Sequence, residues 1–102
     1  MAIESITTAD SDEQALVLRG QSKGFSKIAE ALGMGRASDA NEAFNRALRR
    51  RPSEEQATIR EEENRRLDRL ARAVSAGESR TAEDIAKRLR AVERLRTRLM
   101  AD

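Results

Sequence analysis

The stretch Phe25-Ser26-Lys27-Ile28-Ala29-Glu30-Ala31-Leu32-Gly33-Met34 constrains this chain more than any other segment. Ile28 and Leu32 lie one helical turn apart and supply an apolar face. Ala29 is small enough for another helix to cross close over it. Gly33 follows at once, where a residue with positive φ costs least. That order calls for a short helix, a sharp reversal, and a second helix starting near Arg36 and crossing the first. In a helix-turn-helix the second of these helices is presented to the DNA major groove.

The remaining residues limit the core that can support such a motif. Phe25 and Phe44 are the only aromatics among 102 residues, and 37% of the chain is charged. A core of Leu, Ile, Val and Ala in a chain this short buries a modest fraction of its surface, so a partner subunit is expected. The length fits one small domain, or a small domain with a helical extension. Cysteine and histidine are both absent. Their absence removes disulfides, thiolate and imidazole metal ligands, cysteine nucleophiles and the commonest general base. Neither catalysis, a cofactor nor a metal is expected. No apolar run is long enough to span a bilayer, and the N-terminus lacks a basic-then-apolar signal pattern, so the expected location is the cytoplasm.

Along the chain, residues 1–9 show no helical period and read as a flexible lead-in. Asp10 or Ser11 can cap a first helix that carries Ala15, Leu16 and Leu18. Gly20 to Gly24 reads as a loop, and Ser26 can cap the second helix, which ends at Gly33. A third helix is expected from about Arg36 to Arg50. Ala40, Phe44, Ala47 and Leu48 share one face of it, with Ala43 on the margin. Ser38, Glu42, Asn45 and Arg49 fall opposite, flanked by Asn41, Arg46 and Arg50. Pro52 disfavours helical geometry at Arg51 and stops the helix.

Ser53-Glu54-Glu55-Gln56 is a capping-box sequence opening a long fourth helix to about Ala76. Its stripe is Ile59, Leu67, Leu70 and Val74, interrupted by Glu63. Glu61-Glu62-Glu63 cannot converge on one metal ion, because consecutive residues point to different sides of a helix. Glu61 with Arg65 and Glu62 with Arg66 have the spacing of surface ion pairs. Glu63 and Arg96 interrupt apolar faces. They read either as charges that meet a partner across a subunit boundary or as residues of exposed helix ends. Thr81 and Asp84 can cap a fifth helix running to about Met100. Ile85, Val92 and Leu99 recur there at sevens, with Leu89 and Leu95 beside them, a period that favours a helix-on-helix seam. The short link Gly77-Glu78-Ser79-Arg80 predicts an antiparallel hairpin. Leu67, Leu70, Val74, Ile85, Leu89, Val92, Leu95 and Leu99 are the residues expected to mediate self-association. The last helix is basic at Lys87, Arg88, Arg90, Arg94, Arg96 and Arg98. It lacks Trp and Phe and carries Glu83, Asp84 and Glu93, which favours pairing with another helix over lying on a membrane.

Charge is distributed unevenly. Residues 36–52 hold five basic and two acidic side chains, whereas residues 1–35 hold three and five. The positive peak falls on the expected third helix. There Ser38, Asn41, Asn45 and Arg49 are best placed to reach base edges, since Asn pairs with adenine and Arg with guanine. Lys23, Ser26, Lys27, Arg46 and Arg50 are the candidate phosphate contacts. The competing explanation for all nine is simple solvation of an exposed surface.

Leu18-Arg19-Gly20, Phe25 through Gly33, and Arg46-Ala47-Leu48-Arg49-Arg50 together resemble the DNA-binding part of phage small terminase subunits. They also resemble related small helix-turn-helix proteins of actinobacterial genomes and prophages. Arg60-Glu61-Glu62-Glu63-Asn64-Arg65-Arg66-Leu67-Asp68-Arg69-Leu70 is similar to the helix that follows the motif in that group. Ala91-Val92-Glu93-Arg94-Leu95 is similar to its final helix. The likeness covers roughly residues 13–100. The loop before Phe25 is longer than the family's. Asp39 and Glu42 also stand where apolar residues are usual, unless the turn carries one extra residue and Ala40 and Ala43 take those places. The resemblance implies double-stranded DNA binding, homo-oligomer assembly and, in phage proteins, delivery of DNA to a large terminase ATPase.

The expected fold is all-α. It comprises a flexible residue 1–9 segment, a three-helix helix-turn-helix head over residues 10–52, and a long antiparallel two-helix hairpin over residues 53–102. The expected function is DNA binding as an oligomer, small-terminase-like or regulatory, with no membrane partner. The alternative is a non-catalytic helical adaptor that does not bind DNA.

Overall fold

The computed structural model describes residues 8–77 and 80–101. They form an all-α chain of five helices: α1 (Thr8–Gly20), α2 (Phe25–Ala31), α3 (Ala37–Arg49), α4 (Ser53–Ser75) and α5 (Ala82–Met100). Most of the expected lead-in, and Glu78-Ser79 of the expected hairpin link, lie outside the described residues. α1 starts at Thr8, ahead of the expected Asp10 or Ser11. The chain divides into two compact units between Pro52 and Ser53.

In the first unit, α3 packs against both α1 and α2. Close approach is possible because Ala15, Ala29, Ala40, Ala43 and Ala47 are all buried. Phe44, Ile28 and Leu48 are the largest fully buried apolar side chains of this unit. Phe25 meets Phe44 edge to face at 5.7 Å, a geometry favoured by the ring quadrupoles. Ala40 and Ala43 turn into this core, while Glu42 is exposed and Asp39 partly so.

The two turns in this unit share one construction. After α2, the Met34 N–H donates to the Ala29 carbonyl at 2.8 Å and the Gly33 N–H to Glu30 at 3.4 Å. Gly33 is left-handed, with φ +70°. After α1, the Lys23 N–H donates to Leu18 at 3.2 Å and the Ser22 N–H to Arg19 at 2.8 Å. There the left-handed residue is Ser22, with φ 67°, not one of the flanking glycines. Both patterns satisfy carbonyls that the helix end leaves without partners. The residue preceding α2 is Gly24, with no side-chain cap, so Ser26 is not the cap expected from sequence.

In the second unit, α4 and α5 run antiparallel and bury Leu67, Val74, Val92 and Leu99 between them. Thr81 caps α5 by accepting from the Asp84 N–H at 3.0 Å. Polar contacts set the register along the rest of the pair. Arg96 donates to Asn64 Oδ1 at 2.7 Å and to Asp68 Oδ1 at 2.9 Å. Arg60 Nε donates to the Leu99 carbonyl at 2.9 Å and Nη2 to the Ala101 carbonyl at 3.3 Å, closing the C-terminus of α5. Glu61 pairs with Arg65 as expected. Arg66, however, pairs with Glu63 at 3.2 Å rather than with Glu62. Glu63 is buried and paired with an arginine of its own helix.

Candidate nucleic-acid interface

Because α3 is covered by two helices, its buried arc is wider than one apolar stripe. Asn41, Asn45 and Leu48 share a flank at spacings of four and three, and that flank is covered along with Phe44 and Ala47. Asn41 and Asn45 are each 3% exposed. The Asn45 amide donates to the Asn41 carbonyl at 3.1 Å and to its Oδ1 at 3.2 Å. Neither side chain can therefore reach a base edge, which corrects the sequence-based assignment of both. Asn45 Oδ1 is buried with no partner among the described residues. What remains outward on α3 is Ser38, Glu42, Arg49 and Arg50, with Arg46 and Asp39 at the margin.

The basic cluster at the end of α3 is largely answered by α1. Asp12 is wholly buried. Arg46 grips it with two parallel bonds, Nε to Oδ2 and Nη2 to Oδ1, both 3.0 Å. Arg50 Nη1 approaches the same Oδ2 at 3.1 Å. This bidentate, charge-assisted geometry is the strong form of the interaction. The hydrogen bond to Asp12 raises the Arg46 pKa. Arg51 pairs with Glu13 in the same way, α1 to the end of α3. The positive peak along the sequence is thus partly neutralised by acids that fold back from α1. Arg46 and Arg50 have a structural task that the sequence-based assignment of phosphate contact did not include.

The remaining candidate phosphate contacts, Lys23, Ser26 and Lys27, are exposed around the start of α2. Arg19 lies over the Phe25 ring at 4.1 Å and donates to the Lys23 carbonyl at 2.9 Å, fixing the loop that carries Lys23. Arg36, immediately before α3, is exposed and only loosely paired with Asp39 at 3.9 Å. Asp12 and Arg36 are the residues that the sequence reading missed. Asp12 was detectable, since it precedes Ala15 by three and Leu16 by four and so shares their buried face.

The residues expected to mediate self-association divide into two groups. Leu67, Val74, Val92 and Leu99 are buried within this chain's own α4–α5 pair, so they are not available to a partner. Ile85, Leu89 and Leu95 are half-buried. Leu70 is 45% exposed. No helix among the described residues is long and apolar enough to cross a membrane. The chain matches no protein-family model, no curated protein and no solved structure.

Proposed function

We propose that this protein binds double-stranded DNA without catalysis, using α2, the Gly33 turn and α3 as a helix-turn-helix. The observation that carries this reading is the single polar arc left on α3 once its other faces are packed. Ser38, Glu42 and Arg49 lie along that arc at spacings of four and seven residues, hence on one line facing out. In the groove, Arg49 suits guanine O6 and N7, Glu42 suits a cytosine amino group, and Ser38 suits either kind of edge. Lys23, Ser26, Lys27 and Arg36 are exposed in the same unit and would hold phosphates, fixing orientation without reading sequence. The resemblance to small terminase subunits and prophage regulators supports either a packaging or a regulatory role for the bound DNA. Self-association through Leu70 and the half-buried Ile85, Leu89 and Leu95 completes the reading, since a dimer or ring multiplies the contacts of a weak single head.

The test is duplex binding by fluorescence anisotropy, first on a random-sequence duplex and then on sites selected from a random pool. Arg49→Ala should weaken binding to a selected site by about 10- to 100-fold and relax preference at one base pair. Unchanged affinity in that variant would remove α3 from the interface. No binding by the wild type at low salt would favour the adaptor. Arg46 and Arg50 are unsuitable targets, because their loss strands the buried Asp12.

A further inference from the structure

We propose that α5 carries a second, sequence-independent contact to the DNA backbone, made by Lys87, Arg90, Arg94 and Arg98. This rests on the duplex-binding reading for its ligand but uses a different unit of the chain. The four residues recur at intervals of three, four and four. They therefore form one row about 16 Å long on α5. All four are exposed. The row lies on the side of α5 away from Val92 and Leu99, which α4 covers.

Most other cations of this unit are paired, whereas Arg69 and Arg72 on α4, like the row, have no hydrogen bond or ion pair with the described residues. Arg60 is bonded to Gln56 and to two carbonyls, Arg65 to Glu61, and Arg66 to Glu63. Arg80 and Arg88 pair with Asp84, and Arg96 with Asp68 and Glu93. None of the four row residues has a hydrogen bond or ion pair with the described residues. Arg90, Arg94 and Arg98 line a shallow surface depression with Glu93 and Thr97. Glu93 is turned toward Arg96 at 3.5 Å. Glu83 and Asp84 stand in the first turn, where the helix dipole favours them, and Asp84 is already paired with Arg88.

The chemistry of the row fits a duplex better than a lipid surface. A helix lying on a membrane needs an apolar face beside its cations to enter the acyl region. The fully buried part of the apolar face of α5, Val92 and Leu99, is already occupied by α4 and lies opposite the row. Duplex DNA presents one negative charge per roughly 1.7 Å of axis, so a row of this length spans several phosphates. Guanidinium groups hold phosphate in bidentate fashion.

The experiment measures the affinity of the full chain for a random-sequence duplex across a series of salt concentrations. The variants are K87Q/R90Q/R94Q/R98Q, R94Q/R98Q and R69Q/R72Q, with circular dichroism to confirm equal helicity. Arg69 and Arg72 are exposed on α4, so that double removes the same charge as R94Q/R98Q. The quadruple variant should flatten the slope of log affinity against log salt by about 3 to 4, and R94Q/R98Q by about 2. R69Q/R72Q should leave the slope close to wild type. Equal losses in the two doubles would show a diffuse charge effect and overturn the contact. So would a wild-type slope in the quadruple variant. If the wild type ignores the duplex altogether, the proposed function and this inference fall together. If the row variants lose binding while Arg49→Ala does not, α3 falls as the reader and α5 stands as the contact.

Discussion

Among the described residues each unit of this protein buries one carboxylate, and the two are used differently. Asp12 leaves α1 and receives Arg46 and Arg50 from α3, thirty-four and thirty-eight positions along the chain. Glu63 bonds to Arg66, one turn away on the same helix. The first arrangement ties two helices together in a single register, whereas the second links residues one turn apart on α4, and bonds from Arg96 and Arg60 join α4 to α5. The apolar parts differ in the same sense. The first unit encloses Phe44, Ile28 and Leu48 among alanines contributed by three helices. The second has one interface, sealed by four aliphatic side chains and laced by arginines along its edge. Three helices can enclose a core. Two helices can only share a seam, and side-chain hydrogen bonds then carry more of the specificity.

The largest expected effect separates the two cores. Phe44→Ala should cost about 3–5 kcal/mol, because packing on two sides leaves little room for collapse. Leu67→Ala, on a seam open at its edges, should cost nearer 2 kcal/mol. Amide exchange read on α3 for the first variant and on α4 for the second checks the order, and equal losses would break the comparison.

The next effect concerns Asp12. Removing both of its partners in Arg46→Ala/Arg50→Ala leaves a charge buried alone and should cost about 3–5 kcal/mol. Asp12→Ala leaves two arginines whose side chains are 40% and 51% exposed, and these can turn to water. It should cost only about 1–2 kcal/mol. Urea denaturation of the two variants decides; a greater loss from Asp12→Ala would mean that the arginines, not the acid, are the dependent partners.

The smallest effects sharpen how the first unit ends its helices. A Cβ on Gly33 would meet nothing within 4 Å, so Gly33→Ala reports backbone conformation alone, about 1 kcal/mol of loss. Ser22→Gly at the equivalent position should gain about 0.5 kcal/mol. Thermal melts of the pair should move in opposite directions.

Gly33 was legible in sequence because a glycine directly after an apolar turn has few other uses. Ala40 and Ala43 were legible because the helical period left no other residues to cover. Ser22 was not, since two glycines flanked it and serine does not announce a left-handed backbone. Asn41 and Asn45 failed for a different reason. A polar side chain on a helix flank says nothing about whether a second neighbour covers that flank, and here burial came from two directions. The sevens in α5 announced a helical partner without saying whose helix it was. The chain's own α4 buries Val92 and Leu99, so much of the surface expected for a second copy is already used. For the candidate interface, spacing located the outer line of Ser38, Glu42 and Arg49. It could not reveal that acids distant in sequence fold back onto Arg46 and Arg50.

The bond from Arg60 to the end of α5 has a consequence for how this chain tolerates change. Its acceptors are main-chain carbonyls, at Leu99 and Ala101, so no replacement of either side chain can erase them. All the sequence dependence of that clasp is concentrated at position 60. Over evolutionary drift the exposed positions of the last turn of α5 are free to vary while that clasp persists, Leu99 being held to its type by burial against α4. A single change at position 60 would remove the clasp whatever those positions had become.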